Sequence, residues 1–221
     1  MLALMDSGEL ARHARFSQTP AEWLRLKDVA LSGDGEPTLT PEFGETVEMV
    51  ARIKPHGIKL ILITNAAGLD RTAVKRGLTV MDHHDGEIWA KLDAGTEEYF
   101  KLVDRSNVPL SQILKNLTGC AKARPIVVQS LFMKLYGHGP SAEEVTAYCD
   151  RLNEILASGG RIKAVQVGTV ARKPMAIIHG RPAWNALTAL ADAELDAIRD
   201  CVRHRTGLPA ESWYGAFYPD S

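Results

Sequence analysis

Hydrophobic positions along the chain switch between two periods. Short apolar runs rich in β-branched residues alternate with longer stretches in which apolar residues recur every three or four positions. Segments 28–32 (DVALS), 58–64 (IKLILIT), 87–93 (EIWAKLD), 125–132 (PIVVQSLF) and 161–168 (RIKAVQVG) have the first character and predict strands. Segments 41–54, 69–77, 96–103, 109–120, 141–157 and 190–205 have the second and predict helices. Thr40 and Pro41 suit the N-cap and first turn of the first long helix. Ser141-Ala-Glu-Glu144 has the form of a capping box, and Gly159-Gly160 marks that helix's end. Leu2, Leu4, Met5, Leu10 and Ala11 recur at helical spacing, so the chain is expected to open within a helix. A tail rich in Pro, Trp and Tyr follows the last helix.

The order is β-α repeated, with near-continuous apolar strands. Such strands belong to a mostly parallel sheet covered by helices, in a fold of class α/β. Five strands fall short of an eight-stranded barrel, which leaves a partial barrel or an open doubly wound sheet. No low-complexity linker divides residues 1–221, so one domain is expected, with its core over about 25–175 and a C-terminal helix and tail over 176–221.

Composition narrows the function. The 221 residues are 45% hydrophobic and 24% charged, which excludes a disordered tail or a disulfide-dense mini-protein. The formal net charge of −1 supplies no global field for nucleic acid. Cys120, Cys149 and Cys201 are too far apart in sequence for a metal motif, and scattered cysteines suit a reducing cytoplasm. Apolar runs stay far below the roughly 20 residues that span a bilayer, so no membrane association is expected.

In parallel α/β folds, chemistry sits at the carboxyl ends of the strands. The first strand here ends in Ser32-Gly-Asp-Gly-Glu-Pro37. Its glycines allow unusual dihedrals and close approach of a ligand to the backbone, and its acids favour an ammonium group over a phosphate. A plain turn before a helix accounts for the same residues. Asn65 ends the second strand, where it can reach a ligand or close an Asx turn. Asp93 ends the third, as a helix cap or an acceptor for ribose hydroxyls. Gln129 and Ser130 lie on the fourth. Asp82-His-His-Asp85 has metal-ligating residue types, but adjacent side chains diverge on a helix or strand, so no metal site is expected.

The ordered set Ser32-Gly-Asp-Gly-Glu-Pro-Thr-Leu39, Ile63-Thr-Asn65 and Lys91-Leu-Asp-Ala-Gly-Thr-Glu-Glu98 resembles the radical S-adenosylmethionine (SAM) superfamily. Together with Val165-Gln-Val-Gly-Thr-Val-Ala-Arg172, it most resembles the branch of Fe–S oxidoreductases related to wyosine tRNA-base synthetases. The resemblance implies a partial (β/α)6 TIM-like barrel, here with the first strand missing. It implies SAM binding by Gly33, Asp34, Gly35, Glu36 and Pro37, with Asn65, Asp93 and Gln129 near the nucleoside or methionine end. No catalytic residue is assigned.

The family's [4Fe–4S] cluster, held by a Cys-x-x-x-Cys-x-x-Cys segment, cleaves SAM reductively with an electron from a donor protein. That trio is absent from this sequence. The expectation is therefore a radical SAM protein whose cluster ligands lie upstream, inactive in this form, or else a cluster-free relative that binds or scaffolds without catalysis. A tRNA partner is allowed by the resemblance but not favoured by the charge. Without a preceding strand, residues 28–32 would leave an apolar edge, so self-association is expected.

Overall fold

Each strand segment places one row of side chains toward a helix layer and the other toward an open concave face, as the period of two requires. The computed structural model describes residues 7–33, 35–171, 177–178, 181–182 and 186–215. In chain order its first half contains β1 (Asp28–Leu31), α1 (Phe43–Ile53), β2 (Lys59–Thr64), α2 (Thr72–Asp82), β3 (Gly86–Lys91), α3 (Glu97–Val103) and α4 (Leu110–Ala123). The second half contains β4 (Ile126–Leu131), β5 (Met133–Leu135), α5 (Ala142–Ala157), β6 (Ile162–Gly168), β7 (Ile177–Ile178), β8 (Arg181–Pro182), β9 (Leu187–Ala189), α6 (Asp192–Thr206) and β10 (Ala210–Trp213).

The main sheet has the order β1-β2-β3-β4-β6-β10, and every neighbouring pair is parallel. Strand order follows chain order, as in a partial TIM-like barrel. Among the described residues the sheet does not close, and β1 pairs only with β2. The core lies between sheet and helices. Leu60, Leu62, Ile88, Ala90, Ile126, Val128, Val165 and Val167 enter it from the strands, and Val47, Leu78, Leu117, Leu152 and Val202 meet them from the helices. Glu87, Trp89, Lys91, Gln129 and Gln166 occupy the alternate positions and are only half-buried. Here the Glu87 carboxylate joins strands. Burial works against its charge, but hydrogen bonds from Lys163, Lys59 and Trp89 outweigh that and hold it down to about 2.

Several sequence expectations shift. The segment expected to be a tail supplies β10, which lies beside β6. Its four residues, Ala-Glu-Ser-Trp, have no strand-like apolar run. Tertiary partners make the strand: Val165 N–H donates to Pro209 O at 2.8 Å, and the Arg203 guanidinium donates to Ala210 O at 2.9 Å. The first long helix starts at Phe43 rather than Pro41. Pro37–Leu39 forms a 3-10 turn instead, and Thr40 closes it. The 69–77 helix begins only at Thr72 and runs on to Asp82. At the N-terminus the described part of the expected helix is one 3-10 turn, Glu9–Arg12. Residues 1–6 lie outside the described residues.

The capping box at Ser141 forms by half. Ser141 Oγ accepts from Glu144 N–H at 3.2 Å, but the Glu144 side chain turns away to the loop after β3. Gly95 in that loop lies against the α5 backbone, where a Cβ would collide with Tyr148 N and Ala147 C. Gly95→Ala is therefore expected to lower stability by about 3 kcal/mol, since neither backbone can yield without moving a helix. Urea unfolding of the variant checks this; an unchanged midpoint would contradict the close approach.

Candidate functional site

The loops that follow β1, β2, β3 and β4 share one rim of the sheet, and buried polar groups tie them together. Glu36 is the first tie. Its Oε1 accepts from Thr38 N–H at 3.0 Å, Thr38 Oγ1 at 2.6 Å and Thr64 Oγ1 at 2.6 Å. Its Oε2 accepts from Asn65 N–H at 2.7 Å. Thr38 is fully buried, and Gly68 sits so close that a Cβ there would strike Thr38 Oγ1 at 2.5 Å. Glu36 thus clamps the β1 loop onto the end of β2. Pro37 opens the short turn that aims Thr38 inward.

Gly33 and Gly35 are exposed, and a Cβ on either would meet nothing within 4 Å. Gly33 does not use the left-handed backbone that its residue type permits. What it offers is bare, accessible main chain. Asp34 lies outside the described residues. Asn65 is exposed, and its Oδ1 accepts from Ala67 N–H at 2.9 Å, so its side chain closes an Asx turn. Asn116 of α4 supports that turn from beneath, donating to Ala66 O at 2.9 Å and Ala67 O at 3.2 Å.

Asp93 is buried at 5% exposure, where a free carboxylate would be costly. It accepts from Leu131 N–H at 2.7 Å, joining the ends of β3 and β4, and pairs with Lys91 Nζ at 3.0 Å. Burial alone would discharge Lys91, but the Asp93 carboxylate overcomes that and raises its pKa above the ordinary lysine value. Asp104, just past α3, completes the group, and sequence reasoning missed it. Its Oδ2 is buried without an accepted hydrogen bond. Burial, then repulsion from Asp93, pushes its pKa from 3.8 up to about 8, against the pull of Lys91. The raised pKa favours the neutral form of Asp104 beside Asp93. Nothing in the sequence marks it, because its partners lie on another strand and loop.

Glu144 forms the third tie. It is buried and accepts from Gly95 N–H at 2.5 Å and Thr96 Oγ1 at 2.6 Å. Gln129 faces the concave side and donates from Nε2 to Gln166 Oε1 at 2.9 Å. Ser130, its neighbour, points the other way and bonds Tyr148 OH at 2.6 Å inside the helix layer. The alternation of strand faces therefore removes Ser130 from the rim. The Asp82–Asp85 segment is far from a metal site in character. Asp82 ends α2 and accepts from Arg124 at 2.8 Å, Asp85 lies 3.8 Å from Lys54, and His83 and His84 are exposed.

The chain's thiols do not fit an iron–sulfur cluster. Cys120 and Cys149 are buried in α4 and α5, and Cys201 is half-buried in α6, all on the helix side of the sheet. Burial raises the pKa of Cys149 to about 12, which opposes the thiolate form that iron requires. No step through such a cluster can be built on these residues.

Glu36→Ala is expected to cost about 2–3 kcal/mol in urea unfolding, because four donors lose a charged acceptor. A cost below about 0.5 kcal/mol would show the clamp to be idle. Asp104 has a pH signature. Its carboxyl binds a proton more tightly folded than unfolded, so its stabilising contribution is complete below the unfolded pKa and is lost as pH rises to the folded value. Wild type should therefore lose stability relative to Asp104→Asn steadily between pH 3.8 and about 8, with a constant gap above. Thermal unfolding across that window checks this; parallel curves would exclude the protonated acid.

No family model matches this sequence, and no curated protein is similar to it. A solved structure is similar in fold: a radical SAM methyltransferase from Sphaerobacter thermophilus superposes with a TM-score of 0.60 at 14% identity. The match covers 94% of this chain and 56% of that one, so the chain spans just over half the length of the solved protein. At this identity the likeness establishes the architecture alone.

Proposed function

We propose that this chain is the SAM-binding half-barrel of a radical SAM protein. The exposed backbone of Gly33 and Gly35 would receive the amino end of SAM. The turns at Asn65 and Asp93 would flank the nucleoside, and Gln129 would face it from the concave side. The carrying observation is the Glu36 clamp. It fixes the β1 and β2 loops to each other while leaving both glycines bare, on a fold shared with a radical SAM methyltransferase. Cluster thiolates would have to come from outside this chain, because its own three lie in the helix layer. That same placement favours a second reading, a cluster-free domain that binds SAM without catalysis.

Calorimetry with SAM tests what both readings share. Binding to the chain is expected, and Gly35→Val should weaken it at least about tenfold at unchanged thermal stability, since the added side chain enters space that no protein atom occupies. Absence of SAM binding by the folded chain would overturn both. Anaerobic reconstitution of the natural full-length gene product separates them. Four-iron absorbance supports the radical enzyme, and an iron-free, colourless protein supports the binding domain.

A further inference from the structure

The β10 edge of the concave face carries two side chains that the fold does not use. Strand β10 is oriented from behind: Ser212 Oγ and Tyr214 OH both donate to Asp196 of α6, at 2.6 and 2.8 Å. Ser212 and Tyr214 therefore face the helix layer, and Glu211 and Trp213 face the concave side. The parallel register agrees, since Glu211 pairs with Gln166 and Trp213 with Gly168. Both side chains are exposed, Trp213 at 52%. Gln166 is engaged by Gln129, and the Glu211 carboxylate makes no ion pair or hydrogen bond among the described residues.

Leu131 of β4, Gly168 of β6 and Trp213 form one row across three strands. Glycine leaves the middle of that row without a side chain, so the indole borders open space with half-buried Leu131 beyond it. The row spans two strand spacings, about 10 Å, which is room for one flat ring.

We propose that Trp213 and Glu211 hold a small organic cation, a protonated amine carried on a flat apolar group. The exposed indole face attracts both the apolar group and the positive charge. The unpartnered carboxylate favours an ammonium group and repels anions. The two residues are neighbours on one face of one strand, about 7 Å apart along it, within reach of an amine on a two-carbon arm. The site itself stands on this geometry; its role as the seat of a second substrate beside SAM rests on the function proposed above.

Three probes of one shape and different charge test the site on the full chain without SAM: tryptamine, tryptophol and indolepropionate. In equilibrium binding, tryptamine is expected to bind at least about fivefold more tightly than tryptophol, and indolepropionate more weakly than either. Glu211→Gln should abolish the preference for the amine. Trp213→Leu should weaken tryptamine at least about fivefold, whereas Trp213→Phe keeps an aromatic face and should cost less than about threefold. Both positions are exposed, so the variants should melt with the wild type.

No binding of tryptamine would overturn the proposal. So would equal binding of tryptamine and tryptophol, or tryptamine binding indifferent to Trp213→Leu. SAM is itself a cation and is titrated against the same variants. Loss of SAM binding in Trp213→Leu but not in Gly35→Val would seat SAM here and overturn the assignment of a second ligand. Absence of SAM binding with tryptamine binding intact would sink the SAM reading and leave this site standing.

Discussion

Four donors from two loops converge on the carboxylate of Glu36, and the rim's geometry depends on that convergence. Loops at strand ends are usually the least ordered parts of an α/β fold. Here the β1 loop has no helix of any length to anchor it before Phe43, only the 3-10 turn Pro37–Leu39. An ionised acceptor strengthens each hydrogen bond it receives. Binding Thr64 Oγ1 and Asn65 N–H, one side chain transfers the rigidity of a core strand to an exposed glycine loop.

The remaining strand ends repeat the device with other groups. Asp93 spans β3 and β4, Glu144 reaches back from α5 to the loop after β3, and Gln129 meets Gln166 across β4 and β6. Buried charge is costly unless paired and fully hydrogen-bonded. Lys91 meets the charge of Asp93 at 3.0 Å, and burial together with Asp93 raises the pKa of the neighbouring Asp104, which favours its neutral form. The rim is thus a polar belt on an apolar sheet. Its groups are occupied with one another, and what they leave free for a ligand is backbone and space.

The two sides of the sheet differ in what they present. Strand ends present polar loops because the chain must turn there and satisfy its backbone. The helix layer leaves a cleft between α2 and α4 because the two helices lean on different neighbours, and Leu69, Leu78 and Cys120 at its base stay buried. The cysteines belong to that layer as packing groups. Burial raises the pKa of Cys120 and Cys149, so those two behave as small apolar side chains.

Sequence alone determined the parallel α/β class, the five strands at 28–32, 58–64, 87–93, 125–132 and 161–168, and the identity of the rim segments. Apolar runs and helical periodicity are local properties, and the order of strands in a parallel sheet follows from short right-handed connections. Only the tertiary structure decided β10, whose hydrogen-bond partners lie on β6 and α6. It alone decided that Glu36 joins the β1 loop to the end of β2, that Glu144 turns from its cap to Gly95, and that burial and Asp93 raise the pKa of Asp104. Each depends on a group between 11 positions (Asp93 for Asp104) and 49 positions (Gly95 for Glu144) away in the chain, and an interaction across such a separation leaves no period in the sequence to read.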